Sequence, residues 1–178
     1  IRPSVWPTRT FRTDIEPDNF AAKVGLYSYD AGSPFTSGTW VAARAGAHCA
    51  LSAAQALLAG DRASFALSRP PGHHAERAAA MGFCFFNNLA VGARHALDVH
   101  GLQRVALIDF DVHHGNGTED IFKGDDRVLM CSIFEEGLYP FSGENAKGDN
   151  MVNVGLPSRS GSDKFREAVT TQWIPALD

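Results

Sequence analysis

Cysteines are few and widely spaced: Cys49, Cys84 and Cys131 lie within or beside apolar segments. With neither a CxxC pair nor a dense set, the pattern excludes a disulfide framework, and the three read as reduced, mostly buried thiols of a cytoplasmic protein. No run of 18 apolar residues occurs, and the opening IRPSVWPTRT lacks the apolar core of a signal peptide, so nothing directs the chain to a membrane. Long Lys/Arg clusters are missing too. With 16 basic against 20 acidic residues the formal net charge is -4, which offers no footprint for direct nucleic-acid binding. There are no internal repeats and no low-complexity stretches. What remains is an ordinary globular composition, 178 residues with 44% hydrophobic and 20% charged, enough for a sizeable core. Both ends look cut, since the chain begins at Ile1 and stops inside or just after a helical pattern, FREAVTTQWIPALD. The expectation is one domain over residues 1–178, incomplete at both ends.

Apolar runs at 24–29, 63–67, 105–108, 128–133 and 152–156 predict five strands. Residues 39–58 are Ala-rich and free of proline, which predicts a long helix with Gly46 as its weak point and Gly60 as its stop. His48 lies on that helix with nothing polar at helical spacing beside it, so it reads as a structural or surface residue. Further helices are expected at 89–100, led by Asn87 and Asn88 and closed by Gly101, and at 161–173. Residues 1–23 read as irregular with a short helix near 18–23, and DAGSPFTSG at 30–38 reads as a loop. Strands alternating with helices argue for a mainly parallel sheet covered on both faces, so the fold class is α/β.

Two polar stretches follow predicted strands, where active sites of open α/β sheets gather. DFDVHHGNG (109–117) places Asp109, Asp111 and His113 at i, i+2 and i+4, so an extended chain would send all three to one face. A carboxylate and a neutral imidazole are both zinc ligands, and a catalytic zinc takes three protein ligands with one position left open. Caps or turn formation would account for one such Asp, but four polar side chains within six residues after an apolar strand are too costly to bury idle. The second stretch is RPPGHHAERAAAMGFCFFNN (69–88), where Pro70, Pro71 and Gly72 fix a turn presenting His73 and His74. Phe83, Phe85 and Phe86 suit a core, or, with Gly82, a narrow apolar wall that admits a methylene chain.

RPPGHHA (69–75), GFCFFNN (82–88), DFDVHHGNG (109–117) and LYPFSG (138–143) together resemble the zinc-dependent histone deacetylase and acetylpolyamine amidohydrolase superfamily in order and spacing, most like its bacterial class II deacetylase-like amidohydrolases. The resemblance runs from about Tyr29 to the C-terminus. It implies a three-layer α/β/α arginase-deacetylase-like fold, here truncated, with a catalytic Zn²⁺ and a structural K⁺. By that resemblance Asp111 and His113 bind zinc, with the third ligand an Asp on a later segment. Asp109, Asp111, His113, Ser132 and Ile133 form the potassium site, Ser132 through its hydroxyl and Asp111, His113 and Ile133 through backbone carbonyls.

The resemblance also makes His74 the general base, and His73, facing Asp109, a positive group that stabilises the tetrahedral intermediate. Asn116 faces His74 and orients it without adding charge, while Gly82, Phe83 and Tyr139 line the tunnel that grips an acyl-lysine stem. The family's catalytic tyrosine lies on a late Gly-rich loop, and none of Tyr27, Tyr29 and Tyr139 sits in one. The implied activity is removal of acetyl or other short acyl groups from lysine side chains. The acidic residues Asp30, Glu135 and Glu136 at the tunnel mouth keep an acetylpolyamine substrate as the alternative, and a non-catalytic acyl-amine binding module as a third. The 178 residues by themselves are expected to be inactive, and an exposed sheet edge makes self-association into a homo-oligomer an expectation.

Overall fold

The computed structural model describes residues 4–7, 14–28 and 30–178, so the irregular reading of 1–3 and 8–13, and any role for Tyr29, lie outside the described residues. The chain divides into two compact units, Ile1–His95 and Ala96–Asp178.

In the first unit, two short strands pair antiparallel, β1 (Ser4–Val5) and β2 (Phe35–Thr36). Two residues are too few to show as alternation in a sequence. The strand expected at 24–29 is instead the end of a helix, α1 (Phe20–Leu26), and among the described residues of that run only Ser28 makes a ladder contact, with Ala80. Asn19 starts this helix. Its Oδ1 accepts the Ala22 N–H at 3.3 Å, and a helix once nucleated extends cheaply through a β-branched residue such as Val24.

Helix α2 (Thr39–Leu58) has the predicted bounds, and it packs on α3 (Asn88–Arg94) through the small buried residues Ala43, Gly46 and Ala47. His48 is exposed, as a surface histidine should be. The strand expected at 63–67 is absent. These residues are irregular, Phe65 and Leu67 are among the most exposed apolar side chains, and the Ser64 hydroxyl donates to the Ala53 carbonyl of α2 at 2.8 Å. An apolar run becomes a strand only beside a strand that can accept it, and among the described residues none does. Asn87 caps α3, its Oδ1 accepting the Ala90 N–H at 3.0 Å, and the helix continues as a π-helical turn (His95–Val99) before Gly101 at φ 70°.

The second unit holds a parallel sheet in the order β3 (Val105–Asp109), β4 (Val128–Glu135), β5 (Met151–Leu156). Helix α4 (Asn116–Phe122) links β3 to β4. After β5 come α5 (Ser162–Ala168), a π-helical turn (Val169–Trp173) and α6 (Ile174–Leu177), so the single helix expected at 161–173 changes pitch part-way. Cys131 and Ile133 of β4 form a core with Ala168 and Trp173, flanked by Leu129, Val152, Val154 and Phe165. Met130, Ser132 and Phe134 alternate to the other face and are buried as well. Burial of both faces marks β4 as the central strand of a parallel sheet, and the class is α/β.

All three cysteines are free, Cys84 and Cys131 buried and Cys49 exposed, and burial pushes the Cys131 thiol pKa up. Among the described residues no helix is long and apolar enough to cross a membrane.

Candidate active site

Strand β3 delivers Asp109, buried, to its C-terminal end, in register with Ser132 of β4. The chain then bends. Asp109 Oδ1 accepts the Asp111 N–H at 3.1 Å, and Asp111 Oδ1 accepts the His113 N–H at 2.8 Å. These two successive Asx turns correct the expectation of an extended 109–113 segment, because the aspartate side chains capture backbone donors and curl the chain. Asp111 and His113 converge nonetheless, with Asp111 Oδ1 and His113 Nδ1 3.0 Å apart and both side chains about half exposed. A Cβ at Gly115 would collide with Asp109 Oδ2, so the turn needs glycine there.

This pair suits zinc. Two donors in a tetrahedral shell with bonds of about 2.0–2.1 Å lie roughly 3.4 Å apart, so the pair needs to open by only a few tenths of an ångström. A carboxylate oxygen and an imidazole nitrogen also match the ion's preferences. Among the described residues no third His, Cys, Asp or Glu joins them in a metal-holding group. The Asp109 carboxylate and Ser132 hydroxyl, both buried and side by side on β3 and β4, are hard oxygen donors suited to a hard cation, and Ile133 follows directly. Beyond β4, the Tyr139 ring lies 6.4 Å from that of His113. Asn116 is buried as the first residue of α4.

The first unit carries the other polar stretch. His73 and His74 stack with ring centroids 4.0 Å apart, His73 half-buried and His74 buried. Their loop is tied to the start of α3, where Asn88 Nδ2 donates to the Pro70 carbonyl at 3.1 Å and Asn87 Nδ2 to that of Ala75 at 3.4 Å. This gives the NN of GFCFFNN a second task beyond capping. Gly82 lies against His74 at φ 55°, where a Cβ would strike the imidazole ring, and Phe83 follows at φ 63° with its side chain largely exposed. Asp30 holds this turn. Its Oδ2 accepts the Gly82 N–H at 3.2 Å and its Oδ1 the Gly32 N–H at 2.8 Å, while Ser33 Oγ accepts the Phe83 N–H at 3.0 Å.

The comparisons with known proteins agree with these motifs. A family model described as the histone deacetylase domain matches residues 9–178. The chain belongs to the histone deacetylase family. It is 45% identical over 168 residues to acetylpolyamine amidohydrolase 2 of Pseudomonas aeruginosa, covering 90% of this chain and 48% of the relative. It is 41% identical over 154 residues to the histone deacetylase-like amidohydrolase of the same organism, covering 82% of this chain and 40% of the relative. The crystal structure of an acetylpolyamine aminohydrolase from Burkholderia pseudomallei superposes with a TM-score of 0.87 at 34% identity, over 98% of this chain and 53% of that one. The fold is therefore the deacetylase fold, and the chain spans about half the length of the curated relatives it matches.

Within the histone deacetylase domain, the sequence motifs left one group unassigned. His114, second of the HH pair, and Glu119 have fully buried side chains, with His114 Nε2 3.1 Å from Glu119 Oε2 and His114 Nδ1 3.1 Å from Ser132 Oγ. Glu119 Oε1 also accepts the Lys147 N–H at 3.1 Å and Asn153 Nδ2 at 2.9 Å. Burial alone would raise the pKa of Glu119. The hydrogen bonds from His114, Lys147 and Asn153 outweigh it and hold the group below its ordinary value. A Glu five residues after the histidine on a short polar helix carries no signal of its own, and only the fold turns it inward.

Proposed function

We propose that the chain carries the metal-binding and proton-transfer residues of a zinc-dependent amidohydrolase that removes an acetyl or other short acyl group from an amine. The convergence of Asp111 Oδ1 and His113 Nδ1 at a strand's C-terminal end carries the proposal. Membership of the histone deacetylase family supports it. Zinc, when bound, polarises the amide carbonyl and acidifies a water. Asp111 and His113 would hold the ion, and a structural potassium would be held by the side chains of Asp109 and Ser132 and the backbone carbonyls of Asp111, His113 and Ile133.

His74 takes a proton from the attacking water and returns it to the departing amine. Its buried position against Gly82 limits competing hydration and fixes the ring for both transfers. His73 stabilises negative charge on the tetrahedral carbon's oxygen, and Asp109 and Asn116 take the supporting roles that the resemblance implies. By the resemblance, the turn at Gly82 and Phe83, held by Asp30 and Ser33, would contact a substrate's methylene chain, and so would Tyr139. Two relatives at 45% identity bear the name acetylpolyamine amidohydrolase, which favours an acylated polyamine over an acyl-lysine peptide. The protein's proposed place of action is the cytoplasm, and the resemblance implies a further Asp in the metal shell and a Tyr as the oxyanion donor.

Turnover of acetylspermidine and of an acetyl-lysine peptide, measured side by side with zinc-loaded protein, tests this reading. A higher kcat/KM for acetylspermidine is expected. Peptide as the better substrate favours the lysine reading, and no turnover of either, with acyl-amine binding retained, favours a binding module.

A further inference from the structure

The substrate contacts proposed above stop at Tyr139, whereas the row of rings continues. Tyr139 lies 6.4 Å from the ring of His113 on one side and 6.4 Å from the ring of Phe141 on the other, with interplanar angles of 77° and 74°. Phe141 thus stands one ring-to-ring step further from the proposed metal ligand. Its backbone is at φ 60°, a conformation that a bulky L residue adopts only at a cost in free energy, and the residue is 76% exposed. A single exposed apolar residue is ordinary. One held in the left-handed region, with little burial to offset the strain, points to a use. Phe83 of the first unit shows the same combination, φ 63° with 64% exposure, and the resemblance gives that ring a substrate contact.

The loop holds this ring in place. The Phe141 N–H donates to the Leu138 carbonyl at 2.8 Å, and two residues further on Asn153 Nδ2 donates to the Gly143 carbonyl at 3.1 Å. Gly143 sits at φ 107°, where a Cβ would strike the rings of His114 and Phe134, so this end of the loop is clamped to the core. Between Arg127 and Lys147 the chain has no lysine, arginine or histidine, while Glu135, Glu136 and Glu144 fall in that stretch. No cation of the loop itself competes for the face of Phe141, and the local charge favours a cation that arrives. We propose that Phe141 is a specificity-determining residue whose ring face takes the second ammonium of an acylated diamine or polyamine when the amide lies at Asp111 and His113. That ammonium stands three or four methylenes from the amide nitrogen, a span comparable to the ring-to-ring step beyond Tyr139. A cation within about 6 Å of an aromatic centroid is attracted to the ring face. An acyl-lysine stem ends instead in neutral peptide groups, which gain nothing there. The inference rests on the amidohydrolase reading of the same site and narrows its substrate class.

The test compares the full-length, zinc-loaded wild type with Phe141→Gly, which removes the ring, and Phe141→Leu, which keeps apolar bulk without a π-face. Acetylspermidine is the substrate. N-butylacetamide, which has the amide and the methylenes but no ammonium, is the competitive inhibitor. In both variants KM for acetylspermidine should rise about two- to fivefold, the worth of an exposed cation–π contact, with a smaller change in kcat and in the inhibition constant of N-butylacetamide. An unchanged KM in either variant overturns the proposal, and so does an inhibition constant that rises in step with KM, since that marks a displaced loop. Thermal melting supplies the structural control. Phe141→Gly should melt no lower than the wild type, because glycine takes φ 60° without strain, whereas a lower melting temperature shows a ring packed in the interior and overturns the proposal. If the wild type hydrolyses no acetylspermidine, the amidohydrolase reading fails, and calorimetric dissociation constants of the two compounds decide the inference by the same comparison.

Discussion

Asp111 Oδ1 and His113 Nδ1 meet at 3.0 Å because each aspartate of the turn captures the backbone N–H two residues on. The two atoms proposed as metal donors are thus positioned by local backbone hydrogen bonds. Such preorganisation reduces the ordering cost that binding otherwise carries.

The two stacked histidines differ in surroundings, and their variants are expected to differ in effect. His74→Ala should largely remove turnover at saturating substrate, a fall in kcat on the order of 10² to 10⁴, because both proton transfers are lost. His73→Ala should leave a measurable remainder, since a charge nearby can be replaced in part by water. Steady-state kinetics of the two proteins check this, and a more active His74 variant would exchange the assigned roles.

Gly82→Ala tests the wall against which His74 rests. The new Cβ meets the imidazole ring, and the backbone at φ 55° disfavours an L side chain. Denaturant unfolding should show a loss of about 1–3 kcal/mol, typical of overpacking, with kcat reduced through displacement of His74. Unchanged stability and activity would mean that the loop yields freely.

Acid stability should report Glu119. Its folded pKa lies below the ordinary 4.5, so its stabilisation is present above that value and is lost as pH falls through the lowered folded pKa. Glu119→Gln should destabilise the protein near neutral pH by about 1–3 kcal/mol, because a hydrogen-bond partner is left unmatched. It should also flatten the acid limb of the stability curve. A variant with an acid limb as steep as the wild type's would assign that limb to other carboxylates.

Much of this was legible in the sequence. The three parallel strands stand where β-branched runs precede polar turns, α2 has its predicted ends, and the four motifs carry the family resemblance. The strands expected at 24–29 and 63–67 failed for different reasons: helix α1, started by Asn19, runs through Val24, whereas Phe65 and Leu67 lie exposed on irregular chain because an apolar run does not reveal whether a partner strand exists. The curl after Asp109 was missed because alternation assumes an extended backbone, and short-range Asp side chains overrode it. His114 and Glu119 were hidden because burial of a charged residue depends on tertiary contacts with Ser132, Lys147 and Asn153, which lie 13 to 34 positions from Glu119.

Zinc content measured together with acetylspermidine turnover, in the wild type and in Asp111→Ala and His113→Ala, tests the central claim most directly. The full-length wild-type protein should hold zinc and hydrolyse the substrate, and each variant of it should lose metal and activity together, because a first shell short of one ligand binds weakly. Full zinc occupancy in either variant, or turnover that survives its removal, would contradict the assignment of Asp111 and His113 as the metal ligands.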